Sequence, residues 1–375
     1  MKYYIIAGEA SGDLHGANLI KALKTKDPNA EFRVWGGDLM QAEGATLVKH
    51  YRDLAFMGFL EVLKNLKTIL RNITFCKKDI ENYQGEALIL IDYPGFNLRI
   101  AKWAKKENIN TKVFYYISPQ IWAWHTSRVH QIKKNIDKMF VILPFEKDFY
   151  KKYNYEVDFV GHPLLDAIEN FNTNQNQNDF FIKNNIDKNK KIIALLPGSR
   201  KQEISKLLPL MIESSQYFPN YQYIIAGAPA MPSTFYEKFT STSNIKIIHN
   251  QTYALLQNAH AALVTSGTAT LETALFGVPE VVCYKGSNIS YQIAKRLVDI
   301  KYISLVNLIA NKEIVKELIQ DEYNLENIKI YLTNILDEKN RTIIAANYNN
   351  LKNQLGKKGA SQNTANSIYK YLIET

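Results

Sequence analysis

A chain of 375 residues with 46% hydrophobic content has room for two domains with proper cores. Its two cysteines, Cys76 and Cys283, form neither a CxxC pair nor a disulfide framework, which excludes a disulfide-stapled scaffold. The net charge of +10 is dispersed along the chain; it suits anionic small molecules or an anionic membrane surface and does not demand nucleic acid. Glu9 and Asp13 interrupt the apolar start MKYYIIAG, so no signal peptide is read there. No apolar run approaches membrane-spanning length, and the expectation is a cytosolic protein.

The first element is a buried-type strand at 3–7, followed by Gly8-Glu9-Ala10-Ser11-Gly12-Asp13 and a helix to about Lys24. A glycine-bearing first βα turn is what a Rossmann-like half requires. It is not GxGxxG, however, and no acidic residue closes a clear second strand to hold an NAD ribose. Residues 32–35 form the second strand, ending in Gly36-Gly37. The stretch 59–71, FLEVLKNLKTILR, reads as an amphipathic helix. Its apolar residues spread over about half the wheel, with Lys64, Lys67 and Arg71 along one border. A strand at 87–91 ends in Asp92-Tyr93-Pro94-Gly95-Phe96-Asn97, and one at 113–117 leads into Ser118-Pro119-Gln120-Ile121-Trp122-Ala123-Trp124. Strands at 139–143 and 157–160 end at Pro144-Phe145 and at Gly161-His162-Pro163. Strands alternating with helical segments predict a parallel sheet covered on both faces.

Residues 169–179, ENFNTNQNQND, are polar without periodicity and read as part of a surface connection. A second series follows: 192–196 ends in Pro197-Gly198-Ser199-Arg200, 223–226 in Gly227, and 245–248 is a further strand. A strand at 261–264 then stops at Thr265-Ser266-Gly267-Thr268 and a helix begins, which ends at Gly277-Val278-Pro279 before another buried run at 281–284. After about Asn340 the chain reads as helical to its end. The predicted organisation is two doubly wound α/β halves, 1–168 and 191–344, joined by a connection at 169–190. The C-terminal helix, from about 345 to 375, is expected to pack back on the first half or on a partner's, which leaves a homodimer open.

In such sheets ligands bind outside the carboxyl ends of the strands, and the unusual residues collect there. Ser11, Gly12, Asp92, Trp122 and His162 belong to the first half, Arg200, Ser266, Gly267 and Thr268 to the second. Two halves facing each other would form a cleft with one substrate on each wall. The turn before the helix at Thr268 offers free N–H groups and a positive dipole end, which suit a phosphate. Glu272 lies one turn further on the same face, where its carboxylate would accept both hydroxyls of a ribose. An ordinary N-cap beside a solvated glutamate fits the same residues. Asp92 follows an apolar strand, so burial should raise its pKa and make it a better proton acceptor. A turn-forming aspartate before Pro-Gly fits equally well, and His162 and His125 are rival bases. Arg200 matches phosphate oxygens, or a surface ion pair. There is no DxD pair, no metal-ligand spacing of His and Cys, no Walker A loop and no GxSxG elbow. Neither a metal nor another cofactor is expected.

GEASGD, IDYPGFN, YYISPQIWAW, LPFEKDFY followed by GHP, LLPGSR, TSGTATLE and SLVNLIANKEIVKELIQDE occur in this order over nearly the whole chain. Together they resemble the lipid-A-disaccharide synthase family. Val306 stands where that pattern has Pro, and Asn311 where it has Gly. The resemblance implies a GT-B fold, α/β with two Rossmann-like doubly wound domains facing across a cleft. It implies metal-independent, inverting transfer of 2,3-diacylglucosamine from UDP to 2,3-diacylglucosamine 1-phosphate (lipid X), with a β-1,6 disaccharide and UDP as products. Asp92 would be the base and Arg200 would stabilise the leaving diphosphate. Arg200, Ser266, Gly267, Thr268, Thr270, Glu272 and Asn307 would hold the donor, and Ser11, Gly12, Trp122 and His162 would lie on the acceptor side. The family segment corresponding to 59–71 faces the membrane, so Leu60, Val62, Leu63, Leu66, Ile69 and Leu70 are expected to be partly exposed. They would dock the protein peripherally on the inner-membrane surface. A core helix with a broad buried face is the other reading of that stretch. Outside this family, the two-half architecture also fits a UDP-N-acetylglucosamine 2-epimerase or the peptidoglycan glycosyltransferase. A non-catalytic binding module would have no need of Asp92 and Arg200.

Overall fold

A computed structural model describes residues 1–54, 66–107, 109–123, 126–172, 177–241, 243–287 and 301–374. The chain divides into two compact units, Met1–Pro163 with Leu355–Thr375, and Leu164–Gln354.

The first unit holds β1 (Lys2–Ala7), β2 (Glu31–Gly36), β3 (Thr46–His50), β4 (Ala87–Ile91), β5 (Lys112–Tyr116), β6 (Lys138–Val141) and β7 (Asp158–Phe159). They form one parallel sheet in the order β3-β2-β1-β4-β5-β6-β7. The centre explains itself from sequence: β4 is ALILI and buried at every position, as a strand covered on both faces must be. Alternation assigns the faces. Tyr4, Ile6, Leu88 and Leu90 enter one core; Tyr3, Ile5, Ile89 and Ile91 enter the other. Strand order reverses between β1 and β4, so their carboxyl ends flank the switch-point crevice.

The second unit repeats the plan with β8 (Ile192–Leu196), β9 (Gln222–Gly227), β10 (Lys246–His249), β11 (Ala259–Thr265), β12 (Glu280–Tyr284) and β13 (Lys316–Ile319). Its parallel order is β10-β9-β8-β11-β12-β13, with the reversal between β8 and β11. The sheet edges β3 and β13 were not among the predicted strands. Both are short, and β3 is exposed or half-buried throughout, so neither carries a buried-run signature.

The C-terminal region is split. Helix Glu338–Gln354 stays with the second unit, whereas helix Ala360–Glu374 packs on helix Ala10–Lys24 of the same chain. Asn363 Nδ2 donates to the Val160 carbonyl at 3.1 Å and Ser367 Oγ to Asp158 at 2.9 Å, while Ile368 is fully buried. The division falls at Pro163/Leu164, and the polar stretch read as a connection carries the helix Gln177–Lys183 of the second unit.

Of the amphipathic arc, Leu60, Val62, Leu63 and the side chain of Leu66 lie outside the described residues. Helix Leu66–Tyr83 shows the remainder divided: Ile69 leans on the core, while Leu70 is 51% exposed and Phe75 is also exposed. Ile69 is thus half-buried, with part of its side chain against the core. Among the described residues no helix is long and apolar enough to cross a membrane.

Candidate active site

At the carboxyl end of β4 the backbone makes a turn that side-chain-bearing residues rarely accept. Asp92 and Tyr93 both have positive φ, 43° and 50°, and Ile117 beyond β5 has 65°. Such residues cost about 1–3 kcal/mol each and persist only where their surroundings over-determine them. Here the Asp92 N–H donates to the Tyr116 carbonyl at 3.2 Å. The Asp92 carbonyl accepts from Asn97 Nδ2 at 2.7 Å and from the Tyr115 hydroxyl. The Tyr93 ring lies on Gly8 at the end of β1, 2.4 Å from where a Cβ would stand, so only glycine lets the two switch-point loops meet. Asp92 is half-buried, and its carboxyl is raised to about 6. Burial is the main cause and the negative charge of Glu9 the second; the Tyr93 N–H pulls the other way.

The other first-unit candidates are placed differently. Ser11 is exposed and Gly12 buried in the first turn of helix Ala10–Lys24. The last residue of GEASGD is structural: Asp13 accepts from the N–H groups of Gly37, Leu39 and Met40 at 2.7–3.1 Å. Trp122 is half-buried, edge-on to Phe145 at 4.9 Å, and faces the Glu146 carboxyl. His162 corrects the expectation of a cleft-lining imidazole. It is 4% exposed, and burial, with His15 beside it, lowers its pKa to about 3. A neutral, enclosed ring of that basicity is a poor rival to Asp92 as a base. His125 lies outside the described residues.

In the second unit a cavity of about 420 Å³ opens at the reversal point, between the carboxyl ends of β8 and β11. Arg200, Ser266, Gly267, Thr268 and Glu272 are among the residues that line it. Gly267 has φ +152 and open space where a Cβ would be, a backbone that turns β11 into helix Thr268–Leu275, whose N-cap position supplies no side-chain hydrogen bond to its first N–H groups. Arg200 caps helix Lys201–Glu213 and pairs with Glu203 at 3.3 Å. Glu272 is half-buried and held by a neighbour. Its Oε1 accepts from the Tyr253 hydroxyl at 2.8 Å, and burial raises its pKa while that hydrogen bond lowers it.

Two expected donor contacts are not in the cavity wall. Thr270 is fully buried and donates to the Gly267 carbonyl at 2.8 Å, bracing the turn from behind. Asn307 is fully buried too. Its Nδ2 donates to the Val315 carbonyl and Glu317, and its Oδ1 accepts from Ile314 and Val315 N–H, so its hydrogen-bonding capacity is spent on the fold. Conversely, Glu203, Ala228, Pro229 and Thr252 line the cavity unforeseen. Ala228 and Pro229 follow the end of β9, and the rule that ligands gather at strand carboxyl ends would have found them. Among the described residues no group of three or more His, Cys, Asp or Glu is placed to hold a metal ion.

Comparison with known proteins accords with both sheets and the motifs. A family model described as lipid-A-disaccharide synthetase matches residues 3–370. Lipid-A-disaccharide synthase of Geobacter metallireducens is 36% identical over 379 residues, covering 98% of this chain and 96% of that protein. The Coxiella burnetii (strain CbuG_Q212) enzyme of the same name is 38% identical over 374 residues, covering 98% of each. Among solved structures, UDP-GlcNAc 2-epimerase from Neisseria meningitidis, bound to UDP-GlcNAc, superposes with a TM-score of 0.68 at 14% identity over 100% of both chains. A kitacinnamycin glycosyltransferase gives 0.67 at 11% identity over 98% of each. At such identities the likeness is one of fold, the GT-B arrangement of two Rossmann-like domains.

Proposed function

Because the chain belongs to the lipid-A-disaccharide synthase family, we propose that it transfers 2,3-diacylglucosamine from UDP to the 6-hydroxyl of 2,3-diacylglucosamine 1-phosphate. It is a glycosyltransferase of lipid A biosynthesis.

Asp92 carries the reading. A carboxyl raised to about 6 is ionised at neutral pH yet more basic than an ordinary aspartate, as a general base should be. It accepts the proton of the acceptor hydroxyl as that oxygen attacks the anomeric carbon from the face opposite the diphosphate. The bond from that carbon to the diphosphate oxygen breaks, and UDP leaves. The charge it gains meets Arg200 and the N–H groups at the start of helix Thr268–Leu275, while Glu272 accepts the ribose hydroxyls. No residue of this scheme depends on a metal ion.

Because both substrates carry fatty acyl chains, the protein would work peripherally at the inner-membrane surface, and exposed Leu70 between Lys67 and Arg71 suits such contact. The test is UDP release by purified protein. UDP should appear only when the donor and lipid X are both present, at a rate EDTA does not change. UDP formed from the donor alone, or activity abolished by EDTA, would contradict the scheme.

A further inference from the structure

Behind the nucleotide cavity, a second residue acts on Glu272. Tyr253 lies on helix Thr252–Asn258, and its hydroxyl stands 2.8 Å from Glu272 Oε1. The ring has little freedom to place that hydroxyl elsewhere. It is tilted against Phe276 at 5.2 Å and edge-on to Phe171 at 5.6 Å, and those two rings meet each other at 6.0 Å. Glu272 reaches the cavity wall, whereas Tyr253 is not part of that wall.

We infer that Tyr253 is a positioning residue that fixes the Glu272 carboxylate for a ribose diol and so sets the preference for ribonucleotides over deoxyribonucleotides. The inference rests on the reading of this cavity as a UDP site. A glutamate side chain has three rotatable bonds, and a carboxylate free to turn would offer its oxygens to no ligand in particular. One hydrogen bond from a ring locked in an aromatic cluster takes Oε1 and leaves Oε2 for the ligand. A phenol donating to a carboxylate is a charge-assisted bond, and it favours the ionised form that burial opposes. An ionised carboxylate accepts only, which matches a diol that donates. Nothing in the catalytic scheme requires Tyr253, and its aromatic packing does not require the hydroxyl. The polar atom is there for Glu272.

The test compares UDP with 2′-deoxy-UDP by calorimetric titration of wild type, Tyr253→Phe, Glu272→Gln and the double variant. Phenylalanine keeps the ring cluster, so packing is conserved. Wild type should prefer UDP. Tyr253→Phe should weaken UDP roughly tenfold, the scale of one charge-assisted hydrogen bond, and 2′-deoxy-UDP less than about twofold. The double variant should bind UDP no more weakly than Glu272→Gln alone, because both substitutions remove one interaction. Equal losses for the two ligands, no loss for either, or additive losses in the double variant would overturn the role of Tyr253. A wild type without preference for UDP would overturn it too, by removing the ribose contact it serves. A wild type that binds neither nucleotide would instead overturn the reading of the cavity itself.

Discussion

A general base at Asp92 would have to stay ionised at neutral pH and yet hold a proton well, and a carboxyl raised to about 6 by burial and the charge of Glu9 suits both demands. If Asp92 is the base, kcat/KM should fall about tenfold per pH unit below about 6, because protonation removes the acceptor. Asp92→Asn should remove that acid limb from whatever activity remains. Arg200 is a different kind of residue. Its side chain is 64% exposed, so its ion pair with Glu203 does little for stability, and in the proposed reaction it would hold the diphosphate. Arg200→Ala should weaken UDP roughly ten- to a hundredfold by titration and leave the melting temperature within a degree or two. Glu280 opens β12, at the end of the strand remote from the cavity, and is fully buried with its pKa raised well above the usual range by that burial. Its folded pKa exceeds its unfolded one. The stability this contributes is present below the unfolded value, about 4.3, and is lost as pH rises toward the folded value. Glu280→Gln should therefore melt higher than wild type at pH 8, by roughly 2–4 °C per kcal/mol recovered, with a smaller gain at pH 5.

At the scale of elements, the site is made where strands stop. The positive-φ turn after β4 and the Gly267 turn after β11 were legible as motifs, because Asp-Tyr-Pro-Gly and Thr-Ser-Gly-Thr interrupt fully buried runs. What holds those turns was not legible. Asn97, Tyr115 and Tyr93 act across β-strand neighbours and on Gly8, contacts that no spacing along the chain records. Thr270 and Asn307 were misassigned for the same reason: a polar residue beside a binding motif reads alike whether it faces the ligand or braces the loop. Helix Leu66–Tyr83 shows where the two readings of an amphipathic face diverge, since Ile69 packs inward and Leu70 does not. Leu70→Ser should reduce binding to anionic vesicles while the melting temperature stays within about 2 °C, as surface changes usually lie within ±0.5 kcal/mol. A clear drop in melting temperature with vesicle binding unchanged would return Leu70 to the core.

The whole molecule is two doubly wound units, with the chain returning from the second to complete the first. Helix Ala360–Glu374 buries Ala365 and Ile368 against the first unit, so that unit has part of its core encoded at the far end of the sequence. Ile368→Ala should cost about 2–5 kcal/mol, read as an earlier unfolding transition, although the residue is remote in sequence from every catalytic candidate. The tandem arrangement followed from strand–helix alternation alone; that the last helix returns was expected, but not that it returns within its own chain from Ala360 while helix Glu338–Gln354 stays with the second unit, because periodicity alone does not show where one long helical stretch changes partner. In the proposed transfer Asp92 takes the proton from the acceptor sugar. Single-turnover transfer by Asp92→Asn, with saturating UDP-2,3-diacylglucosamine and lipid X, measures that step. The rate should be lower than wild type by about 10²–10⁴, with UDP affinity retained. A variant that keeps more than about a tenth of the wild-type rate would contradict it.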